Sequence, residues 1–191
     1  SISGFGQTGP YRSRPGYDII GQAMGGLMSI TGWPDSPPTR AGTAIGDILS
    51  ALYTCIGILA ALQVREKTGE GQSVDVALVD SVYASLENIP QKVFVEGKVP
   101  GRIGNRYEFI YPYDSFEARD GWVIIGIAND AIWRRFQEAS GLEELDDPRF
   151  DTNPLRVVHY ELIREAIRGW VSARSVDEVV FTLNENGVPA C

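Results

Sequence analysis

Residues 44–67 read AIGDILSALYTCIGILAALQVREK, and this stretch decides the fold of the N-terminal half of the chain. Its charged residues are confined to Asp47 near the start and to Arg65, Glu66 and Lys67 at the end. An acidic first turn and a basic last turn are typical of a helix, and Gly69 follows where a helix would end. Because the rest of the stretch is almost wholly apolar, we predict a long central helix buried in a core.

The composition excludes several classes of protein. The chain has 191 residues and a net charge of −8, with 43% apolar residues, which is ordinary for a folded domain. No cluster of Lys and Arg is present, so we expect no nucleic-acid partner. The uncharged run 48–64 is shorter than the roughly 20 apolar residues that cross a membrane, so we expect no membrane association. Cys55 and Cys191 form no CxxC motif, and we expect a reduced, cytoplasmic protein.

The single histidine, His159, limits the chemistry available to the chain. One histidine excludes a His-paired zinc site, so we expect no metal. The apolar residues around His159 repeat at helical spacing, and we interpret it as a helix residue near the edge of a core rather than a catalytic base.

The remaining stretches predict further elements. We expect strands at 1–3 and 72–78 and helices at 17–30 and 80–95. Residues 97–112, rich in Gly, Pro, Arg, Asn and Tyr, are typical of a linker. The pair Asp120-Gly121 predicts a hairpin between strands at 113–117 and 122–127. Helices are then expected at 131–140, 154–173 and 176–186.

Residues 4–9, GFGQTG, contain the letters of a dinucleotide-binding loop. Such a loop needs a helix that begins within it and directs its N-terminus at the pyrophosphate. Pro10 and Pro15 follow instead, and proline prevents a helix from continuing. We therefore interpret these residues as a plain glycine loop.

Asp47 has two interpretations. As a helix N-cap, its carboxylate would accept hydrogen bonds from backbone N–H groups at the start of the helix. As a nucleophile, it would attack an activated carbonyl, while neighbouring N–H groups hold the oxyanion. Asp18 stands at the start of the preceding predicted helix, so the two carboxylates either share a cleft or are unrelated caps.

Short motifs occur in a fixed order along essentially the whole chain: Ser3-Gly4-Phe5-Gly6 with Gly9-Pro10-Tyr11, Arg14-Pro15-Gly16-Tyr17-Asp18, Gly46-Asp47, Glu66-Lys67-Thr68-Gly69 with Gly71-Gln72, Gly104-Asn105, Asn129-Asp130, and Asp147-Pro148-Arg149-Phe150 with Thr152-Asn153. Together they resemble the class III CoA-transferases. That family includes formyl-CoA transferase and the carnitine CoA-transferases, with 2-methylacyl-CoA racemase as a relative.

The resemblance implies a covalent mechanism. By analogy with the family, Asp47 attacks an acyl-CoA thioester and forms a mixed anhydride with release of the CoA thiolate. The thiolate then returns to give an aspartyl-CoA thioester, and an acceptor carboxylic acid completes the exchange. Coenzyme A enters as acyl-CoA substrate, and neither ATP nor a metal is required.

The resemblance also implies where the substrates bind. The family loop that lines the CoA site corresponds here to Pro15, Gly16, Tyr17 and Asp18. A substrate-facing loop corresponds to Asn105, Arg106 and Tyr107, although this loop is rich in glycine in formyl-CoA transferase and not in this chain.

Two alternatives remain open. The racemase relatives need a histidine at the place of Tyr17 and a carboxylate near Asn129, because moving the proton alpha to a thioester takes a base and an acid. Since this chain has Tyr and Asn there, the resemblance favours transfer over racemisation. The other alternative is an inactive fragment, because the family's chains are much longer than 191 residues.

The fold class expected is α/β. Residues 1–96 would be a segment of the Rossmann-like, parallel-sheet large domain of a CoA-transferase, residues 97–112 a linker, and residues 113–191 a small α+β domain. The partners expected are an acyl-CoA, a small carboxylic acid and a second copy of the chain, as a homodimer or in other self-association. Exposed apolar surface on an incomplete large domain would favour that association.

Overall fold

The computed structural model describes residues 1–191 and divides the chain into two compact units, Ser1–Gly104 and Asn105–Cys191. We call them the N-terminal unit and the C-terminal unit. The division falls within residues 97–112, although Tyr111 and Pro112 near the end of that range are buried. The assignment of 97–112 as a linker stays a prediction.

The N-terminal unit is mainly helical and contains a short parallel sheet. Strand β1 pairs with β2 in parallel, with Ile2 opposite Val76. This arrangement and the second two-stranded sheet, described below, confirm the α/β class expected from the sequence. The elements of this unit are β1 (Ile2–Ser3), α1 (Asp18–Met24), α2 (Leu27–Ile30), α3 (Ile45–Thr68), β2 (Val76–Ala77), α4 (Leu78–Ala84) and α5 (Ile89–Glu96).

Two predicted helices of this unit are each divided in the structure. The helix expected at 17–30 breaks between α1 and α2, where Gly26 has a φ of 93° that a regular helix does not allow. The helix expected at 80–95 begins earlier, at Leu78, and breaks between Ala84 and Ile89. Glu87 in this break also has a positive φ, of 53°.

Helix α3 has the predicted bounds to within a residue, but the prediction that it is buried in a core is wrong for this chain. Only Gly46 and Ser50 in it are buried. The elements that pack on α3 are α1, α4, β1 and β2, and the side chains of Leu52, Ile56 and Leu59 remain 57%, 61% and 59% exposed. By length and composition α3 would also be able to cross a membrane, a test that core helices of soluble proteins pass as well.

The C-terminal unit is a hairpin covered by helices. Strands β3 and β4 are antiparallel, with Ser115 opposite Ile124, and the turn is closed by a 2.8 Å hydrogen bond from Ala118 N–H to the Gly121 carbonyl. The elements are β3 (Tyr113–Glu117), β4 (Trp122–Gly126), α6 (Asp130–Ser140), α7 (Asn153–Val158), α8 (Tyr160–Ser172) and α9 (Val176–Glu185), with short 3₁₀ turns at Glu143–Leu145 and Pro148–Phe150.

The core of this unit lies between the hairpin and the helices. Val123 and Ile125 of β4 are fully buried together with Phe136 of α6 and Ile167 of α8. The helix expected at 154–173 is divided at His159, which lies between α7 and α8. The prediction that His159 lies within a helix is therefore wrong. The ring of His159 makes an edge contact with Phe150, and this half-buried place at the edge of the core agrees with the expectation.

Candidate active site at the start of helix α3

Asp47 lies in the first turn of α3, and its side chain is exposed. The N-cap residue is Ala44, whose side chain has no group that could accept a hydrogen bond from the backbone, and the Asp47 side chain makes no capping hydrogen bond either. The interpretation of Asp47 as an N-cap is therefore wrong, although its negative charge still suits the positive end of a 24-residue helix. An exposed carboxylate at this position is available to react.

The backbone N–H groups of the first turn differ in their availability. The Gly46 N–H donates to the Asp18 carboxylate at 2.8 Å, whereas the N–H groups of Ile45 and Asp47 donate to no acceptor in the chain. N–H groups without an acceptor at a helix N-terminus attract anions. The expectation that neighbouring N–H groups are free to hold an oxyanion thus fails for Gly46 and stays open for the other two.

The loop that contains Pro15, Gly16, Tyr17 and Asp18 approaches the start of α3 through Asp18. Pro15 is exposed, and Tyr17, the N-cap residue of α1, is 81% exposed. Gly16 packs against the backbone of Gly4. The structure therefore brings the Asp18 carboxylate against the residue that precedes Asp47, and it leaves the Tyr17 ring open to solvent.

Gln22 is a residue of this region that the sequence analysis missed. Its side chain is fully buried on α1, one turn after Asp18, and its Nε2 donates to Asp18 Oδ2 at 2.7 Å. The signal that was available is the single amide side chain in residues 19–26, which are otherwise Gly, Ala, Met and Ile. A polar side chain in such a stretch is buried only when its hydrogen bonds are satisfied.

Asn105, Arg106 and Tyr107 lie in the C-terminal unit, and each is held there by a different contact. Asn105 Nδ2 donates to Ser115 Oγ at 2.9 Å, and the Tyr107 N–H donates to the Tyr113 carbonyl at 3.0 Å. The Arg106 guanidinium lies 4.2 Å from the centre of the Tyr160 ring. Strand β3 and helix α8 thus fix the conformation of this loop.

A buried acid lies next to this loop. The Asp114 side chain is 1% exposed, and its Oδ2 lies 3.3 Å from Arg164 Nε. Burial raises the pKa of Asp114 above its usual value, and the hydrogen bond from the Ser115 N–H and the charges of Arg164 and Arg106 act against that shift. Burial also raises the pKa of the Tyr111 phenol, and the Asp114 charge adds to this effect.

Asn129, near which the resemblance to the racemase relatives would place a carboxylate, is a helix cap in this structure. Its side-chain oxygen accepts a 3.0 Å hydrogen bond from the Ile132 N–H at the start of α6. The neighbouring Asp130 pairs with the buried Arg156 at 2.7 Å. Nowhere in the chain do three His, Cys, Asp or Glu side chains come together in a way that suits a metal ion.

The fold and these motifs are those of a single protein family. The sequence profile of CoA-transferase family III matches residues 1–191, and the chain belongs to this family. The resemblance inferred from the ordered motifs is confirmed.

Among curated relatives, the chain is 40% identical to the succinyl-CoA–D-citramalate CoA-transferase of Chloroflexus aurantiacus, over 99% of this chain and 48% of that protein. It is also 40% identical to the succinate–glutarate CoA-transferase of Agrobacterium fabrum, over 100% of this chain and 48% of that protein. The crystal structure of a CAIB/BAIF family protein from Brucella suis is 39% identical, with a TM-score of 0.81 over 100% of this chain and 50% of that chain. The chain thus spans about half the length of the relatives it matches.

Proposed function

We propose that this chain carries the nucleophile of a CoA-transferase that moves CoA between an acyl-CoA and a carboxylic acid, and that Asp47 is the nucleophile. The observation that carries the proposal is the exposed Asp47 carboxylate in the first turn of α3, with the N–H groups of Ile45 and Asp47 unoccupied beside it. Relatives that are 40% identical bear the names of CoA-transferases acting on succinate or succinyl-CoA, which supports the same class of reaction here.

In the proposed reaction, a carboxylate oxygen of Asp47 forms a bond to the thioester carbonyl, and the C–S bond breaks to release the CoA thiolate. The thiolate then attacks the Asp47 carbonyl of the mixed anhydride, so that the donor acid leaves as a carboxylate. The acceptor carboxylate attacks the carbonyl of the resulting aspartyl thioester, its C–S bond breaks, and a second mixed anhydride forms with release of the CoA thiolate. The thiolate then attacks the acceptor's carbonyl in this anhydride, which gives the new acyl-CoA and releases Asp47 as a carboxylate. Each intermediate is an activated carbonyl, which is why covalent catalysis is sufficient.

The helix end supports the first step. Negative charge develops on the former thioester oxygen as the bond to Asp47 forms, and N–H groups aimed at such an oxygen stabilise it. The unoccupied N–H groups of Ile45 and Asp47 are the donors nearest in sequence to the reacting carboxylate. We further propose that Pro15, Gly16 and Tyr17 line the CoA site and that Asn105, Arg106 and Tyr107 face the transferred acid.

The test is trapping of the activated Asp47 carbonyl, from which hydroxylamine displaces the acyl group or CoA. The purified chain is incubated separately with succinyl-CoA and acetyl-CoA, quenched with hydroxylamine, digested and analysed by mass spectrometry for a hydroxamate on the peptide that contains Asp47. Asp47→Asn should abolish the modification. Asp35→Asn, which changes another exposed acid of the same unit, should leave it intact.

The same reaction mixtures separate transfer from racemisation. Asp47-dependent modification by either acyl-CoA supports the proposal, and its absence with both overturns catalysis by this chain. Incubation of a 2-methylacyl-CoA in D₂O without an acceptor acid tests the alternative. Deuterium at the alpha carbon together with an unmodified Asp47 would favour a racemase instead.

We propose in addition that two copies of the chain associate through the exposed face of α3. Leu52, Ile56 and Leu59 follow one another at helical spacing, and each is more than half exposed. A contiguous apolar face of this kind marks an interaction surface. Sedimentation should show a dimer or larger species for the natural chain and a monomer for Leu52→Lys/Ile56→Lys. Phe181→Lys, on the exposed side of α9, is the matched control, and a monomeric natural chain would overturn the proposal.

A further inference from the structure

The buried amide of Gln22 holds the chain segment that leads into α3. Its Nε2 donates to the Thr43 carbonyl at 3.2 Å in addition to Asp18, and its Oε1 accepts from the Ala41 N–H at 2.8 Å. Both N–H bonds of the amide group and its oxygen are therefore used. A fully satisfied buried amide fixes the groups it contacts, because each contact that is lost leaves a polar group without a partner.

Asp18 completes this arrangement on the same face of α1. One oxygen of its carboxylate accepts from Gln22, and the other accepts from the Gly46 N–H at 2.8 Å. The approach depends on the absence of a side chain at Gly46, since a Cβ there would lie 3.0 Å from Asp18 Oδ1 and 3.2 Å from a methyl group of Val82. Two side chains thus hold the segment at Ala41, Thr43 and Gly46, and Asp47 is the next residue.

From this geometry we infer that Gln22 is a positioning residue for Asp47, acting through Asp18 and the backbone of residues 41–46. The inference rests on the proposed function, in which Asp47 is the nucleophile. Gln22 is fully buried and so cannot touch a substrate. What it controls is the orientation of the first turn of α3, and a nucleophile displaced by about 1 Å can lose about a hundredfold in rate.

The inference changes the role expected of Asp18. Each of its oxygens is committed to a hydrogen bond inside the protein, to Gln22 on one side and to Gly46 on the other. Asp18 is therefore a second positioning residue in this inference, and its place in the CoA site stays a prediction. The carboxylates of Asp18 and Asp47 lie at the same helix end because Asp18 orients the backbone that carries Asp47.

The experiment exchanges donor and acceptor between the two side chains. In Gln22→Glu, two carboxylates face each other, and in Asp18→Asn, two amide N–H groups do. In Asp18→Asn/Gln22→Glu the new amide donates to the new carboxylate, which still accepts from the Ala41 N–H, and the Gly46 N–H keeps an acceptor. Only the Thr43 carbonyl loses its donor, so recovery should be large but incomplete. The net charge of the double variant equals that of the natural chain.

The readout is the rate of Asp47 acylation by succinyl-CoA, at saturating and at low concentration. We expect each single variant to lose about a hundredfold at saturation, with little change in the concentration for half-maximal rate, because orientation is lost and not binding. The double variant should recover to within about threefold to tenfold of the natural rate. Gln137→Met, which removes a structural amide bonded to the Leu145 carbonyl in the C-terminal unit, should leave the rate unchanged.

Hydrogen exchange of the Gly46 amide provides a readout that does not depend on activity. Exchange should be faster in both single variants and slow again in the double variant. Faster exchange with an unchanged acylation rate would overturn the inference and leave the proposed function standing. No acylation of Asp47 in the natural chain would overturn both, and failure of the double variant to recover while circular dichroism shows a folded chain would overturn the pairing of Gln22 with Asp18.

Discussion

The backbones of Gly4 and Gly16 lie in direct contact: a Cβ on Gly16 would lie 2.7 Å from the Gly4 Cα, and a Cβ on Gly4 would lie 2.8 Å from the Gly16 Cα. No side chain larger than hydrogen fits at either position without movement of the backbone. Close packing of two chain segments therefore explains the first glycine of the GFGQTG motif, which agrees with its interpretation as a plain glycine loop.

Gly16→Ala should destabilise the chain by about 1–3 kcal/mol, because the added methyl group meets backbone atoms that cannot rotate away. Urea unfolding followed by circular dichroism measures the change. Gly42→Ala is the matched control, since a Cβ at Gly42 meets nothing within 4 Å, and it should differ from the natural chain by less than about 0.5 kcal/mol. Equal stability of the two variants would contradict the close approach.

Gly169→Ala should stabilise the C-terminal unit by about 0.5–1 kcal/mol. Gly169 lies inside α8, is exposed, and has open space where a Cβ would stand, so alanine lowers the entropy lost on forming the helix. Gly141→Ala has the same open space, but the φ of Gly141 at the end of α6 is 64°, and an L side chain there costs about 1–2 kcal/mol. Thermal unfolding of the two variants should therefore shift in opposite directions.

Arg156→Met should destabilise the C-terminal unit by about 3 kcal/mol, because the Tyr111 and Phe150 carbonyls lose their donor in a buried place. The Arg156 side chain is fully buried and also pairs with Asp130. Arg168→Met removes an exposed pair with Glu165 and should change stability by less than about 1 kcal/mol. Denaturant titration of both variants measures the change in the free energy of unfolding. Similar losses of stability in the two variants would contradict the larger contribution expected of the buried Arg156.

The Asp147 carboxyl should titrate far below the ordinary value of 3.8. The Arg149 side chain donates to it, the Arg149 N–H adds a second hydrogen bond, and together they lower the pKa of Asp147 to about 2. A depressed folded-state pKa contributes stability that is present above pH 3.8 and is lost as the pH falls toward 2. Carbon NMR of the side chain measures this pKa directly.

Arg149→Met is the control for this titration. It removes the larger of the two causes and keeps the backbone N–H, so the pKa of Asp147 should move upward toward 3.8 without fully reaching it. The loss of stability between pH 4 and pH 2 should become shallower at the same time. An unchanged titration curve in this variant would contradict the role assigned to Arg149.

Local sequence signals were sufficient to predict the bounds of some helices and strands. The Asp120-Gly121 turn predicted the hairpin, and β3 has the expected range of 113–117, because turn type and alternation of side chains fix a hairpin locally. Helices α6 and α9 begin and end within a residue of the predicted bounds, since their caps are encoded by neighbouring residues. The breaks after Met24 and at His159 were missed, because periodicity continues across a short interruption.

The sequence by itself determined the family, the position of the long helix and the place of Asp47 at its start. Each of these depends on residue order or on interactions within one or two helical turns. The tertiary structure decided that α3 is largely exposed in this chain and that Gln22 and Asp18 hold the residues before Asp47. Gln22 lies 19 residues before Ala41, and Asp18 lies 28 before Gly46. Contacts between residues that far apart form only when the helices pack, so no local pattern reveals them.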